Sequence, residues 1–220
     1  TLFPYTTLFR SCGARELPIP VKINAVSIDF NQWKDGPGKR ENSWLSIAEL
    51  ARQYPVDVRF IEIMPIGYGK QFKTIDHRTL LSELQTTYPG LKKDSKKHGF
   101  GPAVYYKPAG FQGSIGLISA VHRMFCSSCN RVRLTAGGYL KTCLCYEDGI
   151  DLRAVLREGI KRPEEESRFG WPDGLDIHEE CLQRRLQTAM EAAILKKPRA
   201  HCFETPGRIT ESHNMSSIGG

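Results

Sequence analysis

The chain has 220 residues, 40% hydrophobic and 25% charged, enough to bury a sizeable core. No apolar run approaches membrane-spanning length and no signal-peptide pattern opens it, so a cytoplasmic location is expected. The formal charge of +7, from 31 basic against 24 acidic residues, calls for an anionic partner or reflects a solvated lysine face around Lys92, Lys93, Lys96 and Lys97.

Residues 1–11, TLFPYTTLFRS, read as a translated sequencing-library adapter and are set aside as non-native; on that reading the natural chain begins upstream of Cys12. VKINAVSI, from Val21, is a β-branched strand candidate, followed by a polar loop rich in Gly and Pro. A helix is predicted near Trp44–Tyr54, capped by Asn42 or Ser43 and stopped by Pro55. VDVRFIEIM, from Val56, is nearly continuous in apolar residues and suits a strand covered on both faces. Arg59 within it demands a partner, for which Glu62 is the candidate. Strand, helix and strand in this order make a βαβ unit and hence a parallel sheet or barrel segment.

A second helix is predicted near Asp76–Tyr88, with Leu80, Leu81 and Leu84 inward and Pro89-Gly90 ending it. PAVYYK and SIGLIS read as paired strands joined by a Gly-containing turn. DLRAVLREG is a short helix with Asp151 before it and Gly159 after it. After a loop at residues 162–174, a last helix opens on the capping-box-like Asp176-x-x-Glu179 and is expected to bury Leu182, Leu186, Ala189 and Met190.

Of the seven cysteines, four fall between Cys126 and Cys145, a clustering that points to metal or redox chemistry before disulfides. Cys126-x2-Cys129 places two thiolates one tight turn apart, and the 13 residues before Cys143 allow a hairpin to bring the chain back. Thiolates suit zinc and iron–sulfur clusters alike. Zinc in a structural site wants a fourth ligand, with Cys145 and His122 as candidates, whereas three cysteines leave one iron of a cluster open. Spacing alone leaves the two nearly level.

The stretch from Phe125, FCSSCNRVRLTAGGYLKTCLC, resembles the second-cluster motif of the MoaA-type GTP 3′,8-cyclases, C-x2-C-x-R-x-R-L-T followed by C-L. VKIN, DVRFIEIMPIG, GPAVYY, GSIGLIS and the terminal Gly219-Gly220 match the same family in the same order, so the resemblance covers Pro20 to Gly220. It implies an α/β fold: the later βα units of an incomplete TIM-like barrel over residues 12–68, then a C-terminal α+β domain over 69–220 carrying the second iron–sulfur cluster. The family is a radical S-adenosylmethionine lyase of molybdenum cofactor biosynthesis that converts GTP to its 3′,8-cyclised dihydro product. The resemblance further implies a [4Fe-4S] cluster on Cys126, Cys129 and Cys143, with its open iron facing GTP. Arg131, Arg133 and Lys22 would bind GTP, the backbone of Met64 would contact S-adenosylmethionine, and Gly219-Gly220 would enter the active site. Cys145 is then a packing residue. GTP and S-adenosylmethionine are the expected partners, with neither nucleic acid nor membrane, and a homodimer is compatible with it.

Two departures qualify the match. The family's first cluster motif, C-x3-C-x2-C, is absent, so the first [4Fe-4S] cluster is expected on a part not included here and the chain alone is expected to be inactive. The loop Asp29–Asn42 also lacks the family's usual Gly-x-Asn-Asp-Asp pattern. A different radical S-adenosylmethionine protein with an auxiliary cluster fits the Arg-x-Arg-Leu-Thr continuation less well. The alternative from another class, a basic zinc-binding nucleic-acid module, lacks a second cysteine pair and a basic-aromatic stripe.

Overall fold

The computed structural model describes residues 20–29, 43–122, 125–158 and 176–218. The adapter-like segment, residues 30–42 with the Asn42 cap, Arg123, Gly159, the 162–174 loop and Gly219-Gly220 lie outside the described residues, as do the side chains of Asp176 and Glu179. The described residues divide into two compact units. One runs up to Pro65 and over Gly69–Phe125; the other comprises Ile66–Tyr68 and the chain from Cys126 onward. Residues 69–125, which the sequence reading puts in the C-terminal domain of 69–220, group here with the first unit.

In the first unit, β1 (Val21–Ser27), α1 (Ser43–Gln53) and β2 (Val56–Glu62) form the expected βαβ unit, with the two strands parallel from Val21 opposite Val56 to Ser27 opposite Glu62. Helix α2 (His77–Thr87) follows, and the Asp76 carboxylate caps it by accepting from the Arg78 N–H at 2.8 Å. Three further strands complete a five-stranded sheet: β3 (Lys92–Lys93), β4 (Val104–Lys107) and β5 (Ser114–Ile118), in the order β1-β2-β5-β4-β3. β4 and β5 form the predicted antiparallel hairpin, while β5 also pairs parallel with β2, a long-range match that no local turn signals. The sheet is therefore mixed, and the fold class is α/β.

Side chains along β2 alternate: Val56, Val58, Phe60 and Glu62 are buried, while Asp57, Arg59 and Ile61 are half-buried. The strand is thus fully covered on one face, where α1 and α2 supply Ala48, Ala51, Leu80 and Leu84 to a core shared with Ile115 and Leu117 of β5. Leu81 packs only partly against this core. Arg59 and Glu62 are three residues apart in a strand, so they face opposite sides and the expected pair does not form. Arg59 instead donates from Nε to Asn24 Oδ1, directly across the β1–β2 ladder, at 2.8 Å.

The second unit holds a three-stranded antiparallel sheet, β6 (Arg133–Leu134), β7 (Tyr139–Lys141) and β8 (Gly149–Asp151), in sequence order. Helix α3 (Leu152–Glu158) is capped as predicted by Asp151, which accepts from the Ala154 N–H at 3.0 Å, and packs against α4 (Asp176–Leu195). Leu182, Leu186 and Ala189 are half-buried, but Met190 is 37% exposed. At about 100° per residue, Leu182, Leu186 and Ala189 share one stripe, whereas Met190 falls about 80° from Leu182.

The start of β5 depends on a residue without a side chain. Gly113 donates to the Ala51 carbonyl at 2.8 Å, and a Cβ there would collide with the Val56 backbone. Gly113→Ala is expected to lower stability by about 1–3 kcal/mol in urea denaturation. Gly207→Ala, where nothing lies within 4 Å of the added carbon, should change it by less than about 0.5 kcal/mol.

Candidate functional site

A 3-10 turn at Cys126–Ser128, closed by the Cys129 N–H on the Cys126 carbonyl at 3.1 Å, holds the first two cysteines one turn apart. The hairpin then brings in the third. Arg133 of β6 pairs with Lys141 of β7, so the returning chain reaches Cys143 two residues later, alongside the segment leaving Cys129. The reversal is tight: the Thr135 N–H donates to the Tyr139 carbonyl at 2.9 Å, the Tyr139 N–H donates to Thr135 Oγ1 at 3.1 Å, and Gly138 turns the chain at φ 84°. All three thiols are half-buried. Burial pushes the Cys143 thiol up, and the nearby Cys126 and Cys129 push the same way, against the Cys145 N–H and Lys197, which favour thiolate. The three cysteines therefore share one electrostatic neighbourhood.

Cys145 is fully buried, its Sγ 2.9 Å from Cys202 Sγ and accepting the Cys202 N–H at 3.2 Å. Burial, reinforced by Cys202, pushes its thiol up to about 12. His122, the other zinc-ligand candidate, belongs to the first unit and has Nδ1 on Glu62 at 3.1 Å.

Among the described residues, two groups bring three donor atoms within 4.8 Å of one another, Glu62–Asp76–His122 and Glu147–Glu211–His213, and neither contains a cysteine. Within those two groups the central carboxylates already have partners. Glu62 accepts from the N–H groups of His77, Val121 and His122, and Glu211 pairs with Lys141.

Arg131 lies just outside β6 and is exposed, whereas Arg133 is half-buried within it. Burial, then the adjacent Arg131 charge, lowers the pKa of Arg133. Two neighbouring guanidinium groups, one partly desolvated, favour an anionic ligand. Val132 and Leu134, which alternate with the two arginines, are exposed, at 42% and 61%.

Lys22 and Met64 lie in the first unit, at opposite ends of the β1–β2 ladder. Lys22, on the first turn of the ladder opposite Asp57, donates to the His98 carbonyl. The His98 ring is held between Asp57 at 2.9 Å and Asp94 at 3.0 Å and stacks on Tyr105. Met64 follows the C-terminal end of β2, and its carbonyl packs on the α-carbon of Gly69, where a Cβ would strike it.

Sequence reasoning missed Lys197. Its Nζ donates to the Cys129 carbonyl at 2.9 Å and the Arg131 carbonyl at 2.7 Å, and lies 3.4 Å from Cys129 Sγ. The His201 N–H meets Cys126 Sγ at 3.4 Å. A Lys-Lys pair just past a helix end reads as ordinary complement to the helix dipole, so only the long-range fold reveals these contacts.

One unit is thus α/β, and the other carries three free cysteines with two arginines close by in the chain. The profile of the family described as Molybdenum Cofactor Synthesis C matches residues 56–203, and the chain belongs to that family. It is 34% identical over 203 residues to a GTP 3′,8-cyclase of Clostridium perfringens (strain SM101 / Type A), covering 92% of this chain and 54% of that protein. A GTP 3′,8-cyclase of Heliobacterium modesticaldum is 35% identical over 210 residues, covering 91% and 54%. One of Syntrophomonas wolfei is 36% identical over 204 residues, covering 91% and 53%. The chain spans about half the length of the curated relatives it matches. Among the described residues, no helix is long and apolar enough to cross a membrane.

The second unit also contains a buried ion pair, Lys141 with Glu211 at 2.5 Å, the two side chains 4% and 0% exposed. Burial pushes the Glu211 carboxyl up, but Lys141 and the His213 N–H groups outweigh it and hold the pKa below the usual value. A lowered folded-state pKa gives stability that is present above the unfolded pKa and lost as pH falls through the folded one. Glu211→Gln, which leaves Lys141 buried without its counter-charge, is expected to cost about 3–5 kcal/mol at neutral pH. The difference from wild type in denaturant titrations should shrink progressively as the pH is taken below 4.5, the ordinary glutamate value from which Glu211 is lowered.

Proposed function

We propose that this chain is the GTP-binding part of a GTP 3′,8-cyclase, a lyase of molybdenum cofactor biosynthesis, acting in the cytoplasm. The observation that carries the reading is the gathering of Cys126, Cys129 and Cys143 beside the Arg131–Arg133 segment, in a chain whose relatives are named for this activity. On this reading the parallel strands β1 and β2 belong to the later βα units of a TIM-like barrel, and the chain from Cys126 onward is the domain of the second cluster.

The donor chemistry suits a [4Fe-4S] cluster: three free, half-buried thiols, with N–H donors on two of their sulfurs. Cys126, Cys129 and Cys143 would hold it, and when bound it supplies an open iron site for the purine. Arg131 and Arg133 bind and orient the anionic nucleotide. Met64, just past the C-terminal end of its strand, stands where barrel ligands gather, in keeping with a backbone contact to S-adenosylmethionine. For Lys22 as a GTP ligand the family resemblance is the support. The reaction's radical would come from S-adenosylmethionine at a first cluster, for which these 220 residues contain no C-x3-C-x2-C; alone they are expected to give no turnover of GTP, S-adenosylmethionine and reductant.

Reconstituted anaerobically, the chain should be brown and release sulfide in acid. Cys126→Ser, Cys129→Ser and Cys143→Ser should each lose most of the iron, whereas Cys145→Ser should retain it. Arg131→Ala should weaken GTP binding roughly 10- to 100-fold, the loss of a charge-assisted hydrogen bond. A colourless zinc protein, or iron held by Cys145 in place of Cys143, would refute the assignment.

A further inference from the structure

We propose that Lys197 is a positioning residue of the cysteine site, its ammonium clamping residues 129–131 and offsetting the negative charge of the Cys129 thiolate. The inference rests on the cluster reading above and adds a residue to it.

An ammonium has three N–H donors and no acceptor. Around Lys197 Nζ stand three acceptors, the Cys129 carbonyl at 2.9 Å, the Arg131 carbonyl at 2.7 Å and Cys129 Sγ at 3.4 Å. All three belong to residues 129–131, so one side chain spends its full donor capacity on the stretch joining a metal-ligating cysteine to a nucleotide-binding arginine. Lys197 is half-buried, while its neighbour Lys196 is exposed.

Two consequences follow from this geometry. Three thiolates concentrate negative charge, and a cation in contact with one of them favours the more reduced, more negative cluster. Hydrogen bonds and charges near cluster sulfurs are among the determinants of reduction potential. The bond to the Arg131 carbonyl also fixes the backbone direction from which the Arg131 side chain departs. The His201 N–H on Cys126 Sγ, at 3.4 Å, serves the second ligand in a similar way without carrying a charge.

The full chain, reconstituted anaerobically with iron and sulfide, tests this through Lys197→Met, Lys197→Gln, Lys197→Arg and the neighbouring control Lys196→Met. Far-UV circular dichroism verifies folding. Lys197→Met and Lys197→Gln should lose iron to a chelator roughly 10- to 100-fold faster than wild type, and in redox titrations followed by electron paramagnetic resonance their midpoint potential should move to more negative values. Lys197→Arg should keep the potential near wild type, and Lys196→Met should match wild type in both readouts. Folded Met and Gln variants with wild-type iron retention and potential would overturn the proposal. So would faster iron loss at an unchanged potential, the pattern of a packing defect. If instead the wild-type chain takes up no iron and sulfide, the cluster reading itself fails and takes this inference with it; a brown wild type with indifferent variants sinks the inference alone.

Discussion

A carboxylate with no exposed surface organises the C-terminal end of an inner strand of the five-stranded sheet. Glu62 closes β2 and accepts the N–H groups of His77, Val121 and His122, at 3.2, 2.7 and 3.0 Å. A buried charge is tolerated only when its lone pairs are met. Here they are met by the first residue of α2 and by the chain just beyond β5. The same acceptor therefore ties down the entry to a helix and the exit from a neighbouring strand. His77, itself buried, adds contacts to Ser27 at 3.2 Å and Ser119 at 3.3 Å, linking the ends of β1 and β5 to the same point. Burial lowers its pKa, against the neighbouring Glu62 and Asp76, which act to raise it.

The second unit follows another logic. Its functional residues come from short, irregular segments aligned by one hairpin, with the β6–β7 register setting where Cys143 returns. Around this hairpin cations gather: Arg131 and Arg133, which the proposed function puts on the nucleotide, and Lys197, which touches Cys129 Sγ. Lys141 is the exception, spent on Glu211 as a buried ion pair.

Local pattern made much of the first unit legible. The helices α1 and α2, the Asp151 cap and the turn between β4 and β5 rest on short-range signals, and each appears where expected. Pairing across the sheet was not legible, because the parallel match of β5 with β2 joins residues more than fifty positions apart without a turn between them. Arg59 shows the limit at finer scale: its need for a partner was readable, but a spacing of three in a strand excluded Glu62 and the neighbouring strand supplied Asn24. In the site, the cysteines and arginines stood out through their spacing and family resemblance. Lys197 carries no local mark of its role.

That last contact also sets the order in which the site can assemble. Lys197 lies 68 residues beyond Cys129, and His201 lies 75 beyond Cys126. During synthesis the ligand-bearing turn and its hairpin emerge well before the groups that hold their sulfurs. Closing so long a loop costs chain entropy ahead of any compensating contact. A nascent chain halted before Lys197 thus presents all three thiols without the lysine and the N–H that later engage them, and the cysteine site reaches its final form only once residues 197–201 have emerged.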